Sequence, residues 1–191
     1  MPGEALKSSA THPLRINTVE VPNRSGLIGL TFCPGKKGRS IFGGVWDRDL
    51  QSDLAAIETW DADVLVTLLE DHEFGMLQVP EFKDAVTNRD FLWRHLPITD
   101  GCAPDDRLER KWRICGPELL EILKRGGRIV VHCRGGLGRA GTVAARLLIE
   151  MGFEPQEAIR EVRRARPGAI ETLEQEEYLF GRPWLADNCN T

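Results

Sequence analysis

The chain has 191 residues, 28% of them charged and 41% hydrophobic, with a formal net charge of −4. That suits one soluble domain with a substantial core, and the mildly acidic balance argues against a protein that coats nucleic acid. No apolar run approaches the roughly 20 residues needed to span a bilayer, and five scattered cysteines form neither a disulfide framework nor a Cys-x2-Cys zinc pattern.

The start, MPGEALKSSATHPL, has no apolar centre of a secretory signal, so a reducing cytoplasm is expected. Residues 1–13 are polar and read as a loose arm. Leu14 to Val21 alternates and reads as an edge strand, and Leu27 to Phe32 as a second strand. Lys36-Lys37-Gly38-Arg39 reads as a solvated turn. Asp49 to Thr59 carries Leu50, Leu54 and Ile57 on one helical face. Val64 to Leu69 is nearly all apolar, as a buried parallel strand should be. Pro80 to Arg89 reads as a helix and Leu92 to Ile98 as a strand.

Asp106-Arg107-Leu108-Glu109 has the form of a capping box, opening a helix to Lys124 that stops at Gly126-Gly127, with Gly116-Pro117 a candidate kink. A strand over residues 128–132 follows, then a glycine-rich loop. Gly141 to Met151 reads as a helix, a second opens at Glu154-Pro155 and a third covers Glu171 to Leu185. Strands separated by helices imply an α/β fold with a mostly parallel central sheet covered on both faces. One domain over residues 14–187 and a short tail over 188–191 complete the expected organisation.

The chemistry concentrates in His132-Cys133-Arg134-Gly135-Gly136-Leu137-Gly138-Arg139-Ala140-Gly141, directly after the apolar strand Arg128-Ile129-Val130-Val131. Backbone N–H groups of a tight glycine loop and a helix N-terminus favour an anion. The same field favours the thiolate of Cys133, the nucleophilic form. Arg139 adds a planar fork for two phosphate oxygens, and a cation at a helix start opposes the dipole unless an anion is bound there. Gly135, Gly136 and Gly138 let the amides turn inward where side chains would obstruct. The residues read together as a thiolate nucleophile beside an anion cradle.

His-Cys-x5-Arg resembles the signature of the cysteine-dependent protein tyrosine and dual-specificity phosphatases. Cys33-Pro34-Gly35, Pro97-Ile98-Thr99-Asp100-Gly101 through Pro104-Asp105, and Gly168-Ala169-Ile170-Glu171-Thr172 resemble the branch of kinase-associated, kinase-inhibitor-3-like phosphatases. The likeness runs over roughly residues 25–182. It implies the protein tyrosine phosphatase-like fold, a phosphoprotein substrate with a kinase as one candidate partner, and hydrolysis without metal or cofactor. It implies a phosphate cradle of Arg134, Gly135, Gly136, Leu137, Gly138 and Arg139, with His132 supporting the Cys133 thiolate. It places the general acid at Asp100, although a plain Asp-Gly turn explains the same residues. Asp105 is the fallback acid, because Asp106 is accounted for as a helix cap. Gln175 falls where related enzymes use a glutamine to orient water, and reads equally as a solvated helical glutamine. In one departure, Ala140 stands where the family has Ser or Thr, which predicts slow breakdown of a phospho-enzyme or a compensating donor.

Two other readings compete. A phosphate-binding adaptor without turnover would keep the same loop. A dinucleotide-binding protein would use Gly136-x-Gly138-x-x-Gly141, with Glu161 as the acid nearest the expected spacing, but too few strands follow for the usual two halves. The loop does not separate phosphotyrosine from phosphoserine or phosphothreonine, and sequence leaves the oligomeric state open.

Overall fold

The structure, a computed structural model, describes residues 6–21, 26–40 and 43–181. Its centre is a five-stranded sheet. Strand β3 (Leu27–Phe32) pairs in parallel with β8 (Arg128–Cys133), β8 with β6 (Val64–Thr67), and β6 with β7 (Leu92–His95). On the other edge β2 (Asn17–Glu20) runs antiparallel to β3, giving the order β2-β3-β8-β6-β7. The mostly parallel α/β architecture expected from sequence is what forms.

The inner strands read as apolar runs because both faces are covered. Ile129 and Val131 of β8 join the core on one face, and Val130 joins the core on the other, the period-two alternation of a strand. The first core lies under α4 (Asp106–Lys124), α5 (Gly138–Glu150), α6 (Pro155–Ala165) and α7 (Leu173–Gly181). The second lies under α1 (Leu50–Thr59), α2 (Asp71–Met76) and α3 (Phe82–Thr87). Helix α5 is buried all round, so it is the spine of the first layer. Among the described residues no strand follows β8, so the two mononucleotide-binding halves of a dinucleotide fold do not form.

Several local expectations are corrected. The arm expected over residues 1–13 is held from Leu6 onward. Strand β1 (Leu6–Lys7) pairs with β5 (Val45–Asp47), Ser9 Oγ donates to Asp53 at 2.9 Å, and Arg48 donates to His12 O at 2.6 Å. The basic segment read as a solvated turn contains β4 (Lys37–Arg39), the third strand of this small second sheet. Strands of two or three residues leave no periodic signal, and their order comes from the buried Arg48–Asp53 pair beside them. Helix α4 is capped by Asp105, which accepts from Arg107 N and Leu108 N, and not by Asp106. It continues through Pro117, while Gly116 lets the Trp112 indole lie where a Cβ would come within 2.5 Å of Nε1. Helix α2 has no counterpart in the sequence reading. The expected tail over 188–191 and the end of the last helix lie outside the described residues. Among the described residues no helix is long and apolar enough to cross a membrane.

Candidate active site

The site lies at the carboxyl ends of the parallel strands, where open α/β sheets bind ligands. Strand β8 delivers Cys133, and the chain turns through Arg134–Leu137 into α5. Gly136 has φ +69°, and a Cβ there would sit 2.3 Å from Thr31 O on β3, so only glycine fits. The Gly136 N–H donates to Cys133 Sγ at 3.2 Å. Leu137, the residue before α5, offers no side-chain cap, so the first-turn amides of the helix are open to an anion. One of them, Gly138 N–H, is taken by the Glu171 carboxylate at 2.7 Å.

Arg139 is almost fully buried on α5. Its NH1 and NH2 donate to the two Glu73 oxygens at 2.6 and 2.8 Å, NH1 also reaches Ile98 O at 3.0 Å, and NH2 lies 2.8 Å from Asp100 Oδ1. Its buried Nε has no partner. Burial opposes this charge, but the Glu73 hydrogen bonds and the negative charge at Cys133, Glu73 and Asp100 outweigh that and raise its pKa above the ordinary arginine value. Glu73 is thus a buried clamp on the guanidinium, and it also accepts from Glu70 N at 2.8 Å. Sequence reasoning missed it. It sits in the acidic stretch Glu70-Asp71-His72-Glu73, and the only available signal was a capping box there.

Asp100 sits on a turn closed by Cys102 N donating to Thr99 O, with Gly101 at φ +77°. The turn is a turn, and it also carries the carboxylate to the loop. Oδ1 meets Arg139 and Oδ2 lies 3.7 Å from Arg134, while the side chain stays 56% exposed. Asp105, the fallback acid, is committed to its cap and to Arg107 at 2.7 Å.

His132 is fully buried below the loop. Trp93 Nε1 donates to Thr67 Oγ1 at 2.9 Å, and Thr67 Oγ1 lies 2.8 Å from His132 Nε2. An indole only donates, so the Thr67 hydroxyl is free to donate to His132 Nε2, an assignment by hydrogen-bond logic. Burial, assisted by Arg139, pushes this imidazole down to about 3, so it is neutral at working pH. Gln175 is buried, not solvated. Its Oε1 accepts from Glu171 N and Thr172 N, Thr172 Oγ1 accepts from Gln175 N, and Nε2 donates to Cys102 O at 3.2 Å. That reciprocal cap opens α7 and ties it to the Asp100 turn. Ala140 is fully buried, and Thr142 Oγ1 donates back to Gly138 O, so no hydroxyl replaces the missing one from that position.

A family model described as "Swiss Army Knife protein, DSP-PTPase phosphatase domain" matches residues 62–179, the strands, turn and loop just described. The chain belongs to the dual-specificity and protein tyrosine phosphatase family. Within this family it is 32% identical to cyclin-dependent kinase inhibitor 3 of Rattus norvegicus, over 82% of this chain and 72% of the relative. The Homo sapiens protein of the same name is 31% identical over the same shares. Among solved structures, a kinase associated phosphatase with its catalytic-site cysteine replaced by serine superposes with a TM-score of 0.76 at 29% identity, covering 87% of this chain and 92% of that one. Tk-PTP in its active form gives a TM-score of 0.62 at 31% identity, covering 86% and 94%. This phosphatase therefore resembles the kinase-inhibitor-3 branch, as its motifs implied.

Proposed function

We propose that the protein hydrolyses phosphate monoesters on proteins, on tyrosine and on serine or threonine, through a cysteinyl-phosphate. The observation that carries this is the buried, Glu73-clamped guanidinium of Arg139, left with an unpartnered Nε on the loop that holds Cys133. A buried donor without an acceptor is costly, and one phosphate oxygen would satisfy it while a second takes NH2 from Asp100.

The phosphate enters the cradle and displaces the Asp100 side chain from Arg139, with Asp100 entering the first step as the protonated acid. Cys133 Sγ attacks phosphorus in line, the bond to the leaving oxygen breaks, and Asp100 donates its proton to that oxygen. Arg139 and the loop amides hold the equatorial oxygens as charge develops. Water then attacks the phosphorus, Asp100 takes its proton, and the S–P bond breaks to release inorganic phosphate. Gly136 N–H supports the sulfur as nucleophile and as leaving group. His132 fixes the foot of the loop as a neutral ring. Gln175 would orient the water only after releasing Cys102 O. The substrate in this reading is a phosphorylated protein, with a kinase as the first candidate because relatives are named for that association. The setting is the reducing cytoplasm, where the thiol stays usable.

The test is hydrolysis of phosphotyrosine and phosphothreonine peptides by wild type, Cys133→Ser and Asp100→Asn. Turnover lost with Cys133→Ser, and reduced about 10²–10⁴-fold with Asp100→Asn, supports the assignment. Peptide binding without turnover in wild type would make the protein an adaptor, a reading Ala140 favours.

A further inference from the structure

We propose that Arg166 is a positioning residue of the phosphate loop, holding the Gly135 carbonyl outward so that the Gly136 N–H faces the Cys133 sulfur. The inference rests on the phosphatase reading above. Arg166 follows α6, and its NH2 donates to Gly135 O at 2.8 Å. In a trans peptide the carbonyl and the next N–H point in opposite directions. Fixing Gly135 O on the Arg166 side therefore aims Gly136 N–H the other way, where it meets Sγ at 3.2 Å.

The loop itself cannot enforce that orientation. Gly135 is exposed, a Cβ there would touch nothing, and glycines resist rotation of their peptides least. The preceding carbonyl, Arg134 O, is braced too, by Cys33 N and Lys36 Nζ at 3.4 Å each. Consecutive carbonyls are thus held from outside by elements far away in sequence.

Arg166 is built for this position. Its NH1 donates to Asn17 Oδ1 at 2.6 Å, and Asn17 Nδ2 donates to Ala165 O at 2.9 Å, so the guanidinium is strung between β2 and the loop. Its Nε is buried without a partner, and desolvation pulls its pKa below the ordinary arginine value. A side chain serving only the α6 dipole would stay in solvent beside the helix carbonyls. Among the described residues, the charges of Lys36, Arg139 and Arg166 reach the Cys133 sulfur, and the titratable groups around it include the Cys33 thiol, His132, and Glu73 and Asp100 on Arg139.

The test compares full-length wild type, Arg166→Met, Arg166→Lys and Asn17→Ala. It measures kcat and KM on a small aryl phosphate and the pH profile of Cys133 alkylation by iodoacetamide, read by mass spectrometry of the Cys133 peptide. Arg166→Met should lower kcat/KM at least tenfold and move the alkylation midpoint upward, because the sulfur loses an aligned N–H and a nearby cation. Arg166→Lys should fall between, and it carries the test where Arg166→Met fails to fold. Asn17→Ala removes only the β2 end of the tie and leaves Arg166 NH2 on Gly135 O, so it should move the midpoint less than Arg166→Met. If Asn17→Ala matches Arg166→Met, or both Arg166 variants keep the wild-type profile and kcat/KM, the role is structural and the proposal fails. A wild type without turnover would remove the phosphatase reading, while the alkylation profiles would still judge Arg166.

Discussion

The two ends of α5 each bury an arginine, Arg139 in the first turn and Arg146 about two turns later, and the chain treats them differently. Arg146 is saturated. Its Nε meets Glu150 at 2.8 Å, NH1 and NH2 meet Glu109 at 2.8 and 3.1 Å, Tyr178 OH also takes NH1, and the guanidinium lies 4.2 Å from the centroid of the Trp112 indole. Every one of those partners belongs to the core between α4, α5 and α7. Arg139 is clamped on one side by Glu73, shares another contact with the half-exposed Asp100 side chain, and keeps an unpartnered Nε. On this helix the arginine that holds the fold is surrounded, whereas the one beside the phosphate loop is left short. Burial alone would rank the two as equals.

Mutation should pull the two ends apart. Arg139→Lys loses the planar fork, and kcat on an aryl phosphate should fall by about 10³-fold while the thermal midpoint moves little. Equal loss of stability at both arginines would break the comparison. Arg146→Met should do the reverse. It strands the Glu150 and Glu109 carboxylates, and urea unfolding should show a loss of about 3 kcal/mol, with kcat per folded molecule near wild type.

The active end carries a pH signature through His132. The unfolded chain protonates this imidazole near its ordinary value of about 6.5, while the folded chain resists until about 3. Stability is therefore untouched above about pH 6.5, falls as pH drops toward 3, and levels off below that. Between pH 7 and pH 5 the loss from this one group is about 2 kcal/mol. Urea midpoints at the two pH values should converge in His132→Asn, and an undiminished difference would assign the slope elsewhere. The smallest effect sharpens the same end. Ala140→Ser restores a hydroxyl near the sulfur, and if breakdown of the phospho-enzyme limits turnover, kcat should rise severalfold with the burst rate unchanged. Unchanged steady-state turnover would show that Gly136 N–H already suffices.

Legibility followed the range of the interaction. The strand, Cys133, the glycine loop and Arg139 could be read directly, because one contiguous segment carries the nucleophile, the turn and the helix start. Asp100 could be placed only by resemblance, since an Asp-Gly pair is also a common turn. The cap of α4 slipped by one residue because Asp105 and Asp106 are both competent acceptors and tertiary packing chooses between them. Glu73 was invisible because its burial depends on Arg139, 66 residues away, and Glu70-Asp71-His72-Glu73 carries no apolar position that would mark a buried face. Gln175 read equally as a water-orienting and as a solvated helical glutamine, and the bonds of its amide to Cys102 O and the Thr172 cap depend on contacts that no local pattern shows. Arg166 follows the last turn of α6, where Arg163 and Arg164 match the helix dipole, and its bond to Gly135 O joins segments that no local pattern links.

The central claim is that phosphate passes through the Cys133 sulfur. Wild type should be mixed with an aryl phosphate, quenched in acid within the first turnover, and its Cys133 peptide weighed. A phosphate on Cys133 should appear with the burst of released phenol, be absent in Cys133→Ser and accumulate in Asp100→Asn. Full turnover in wild type with an unmodified Cys133 peptide at every quench time, or undiminished turnover by Cys133→Ser, would contradict that claim.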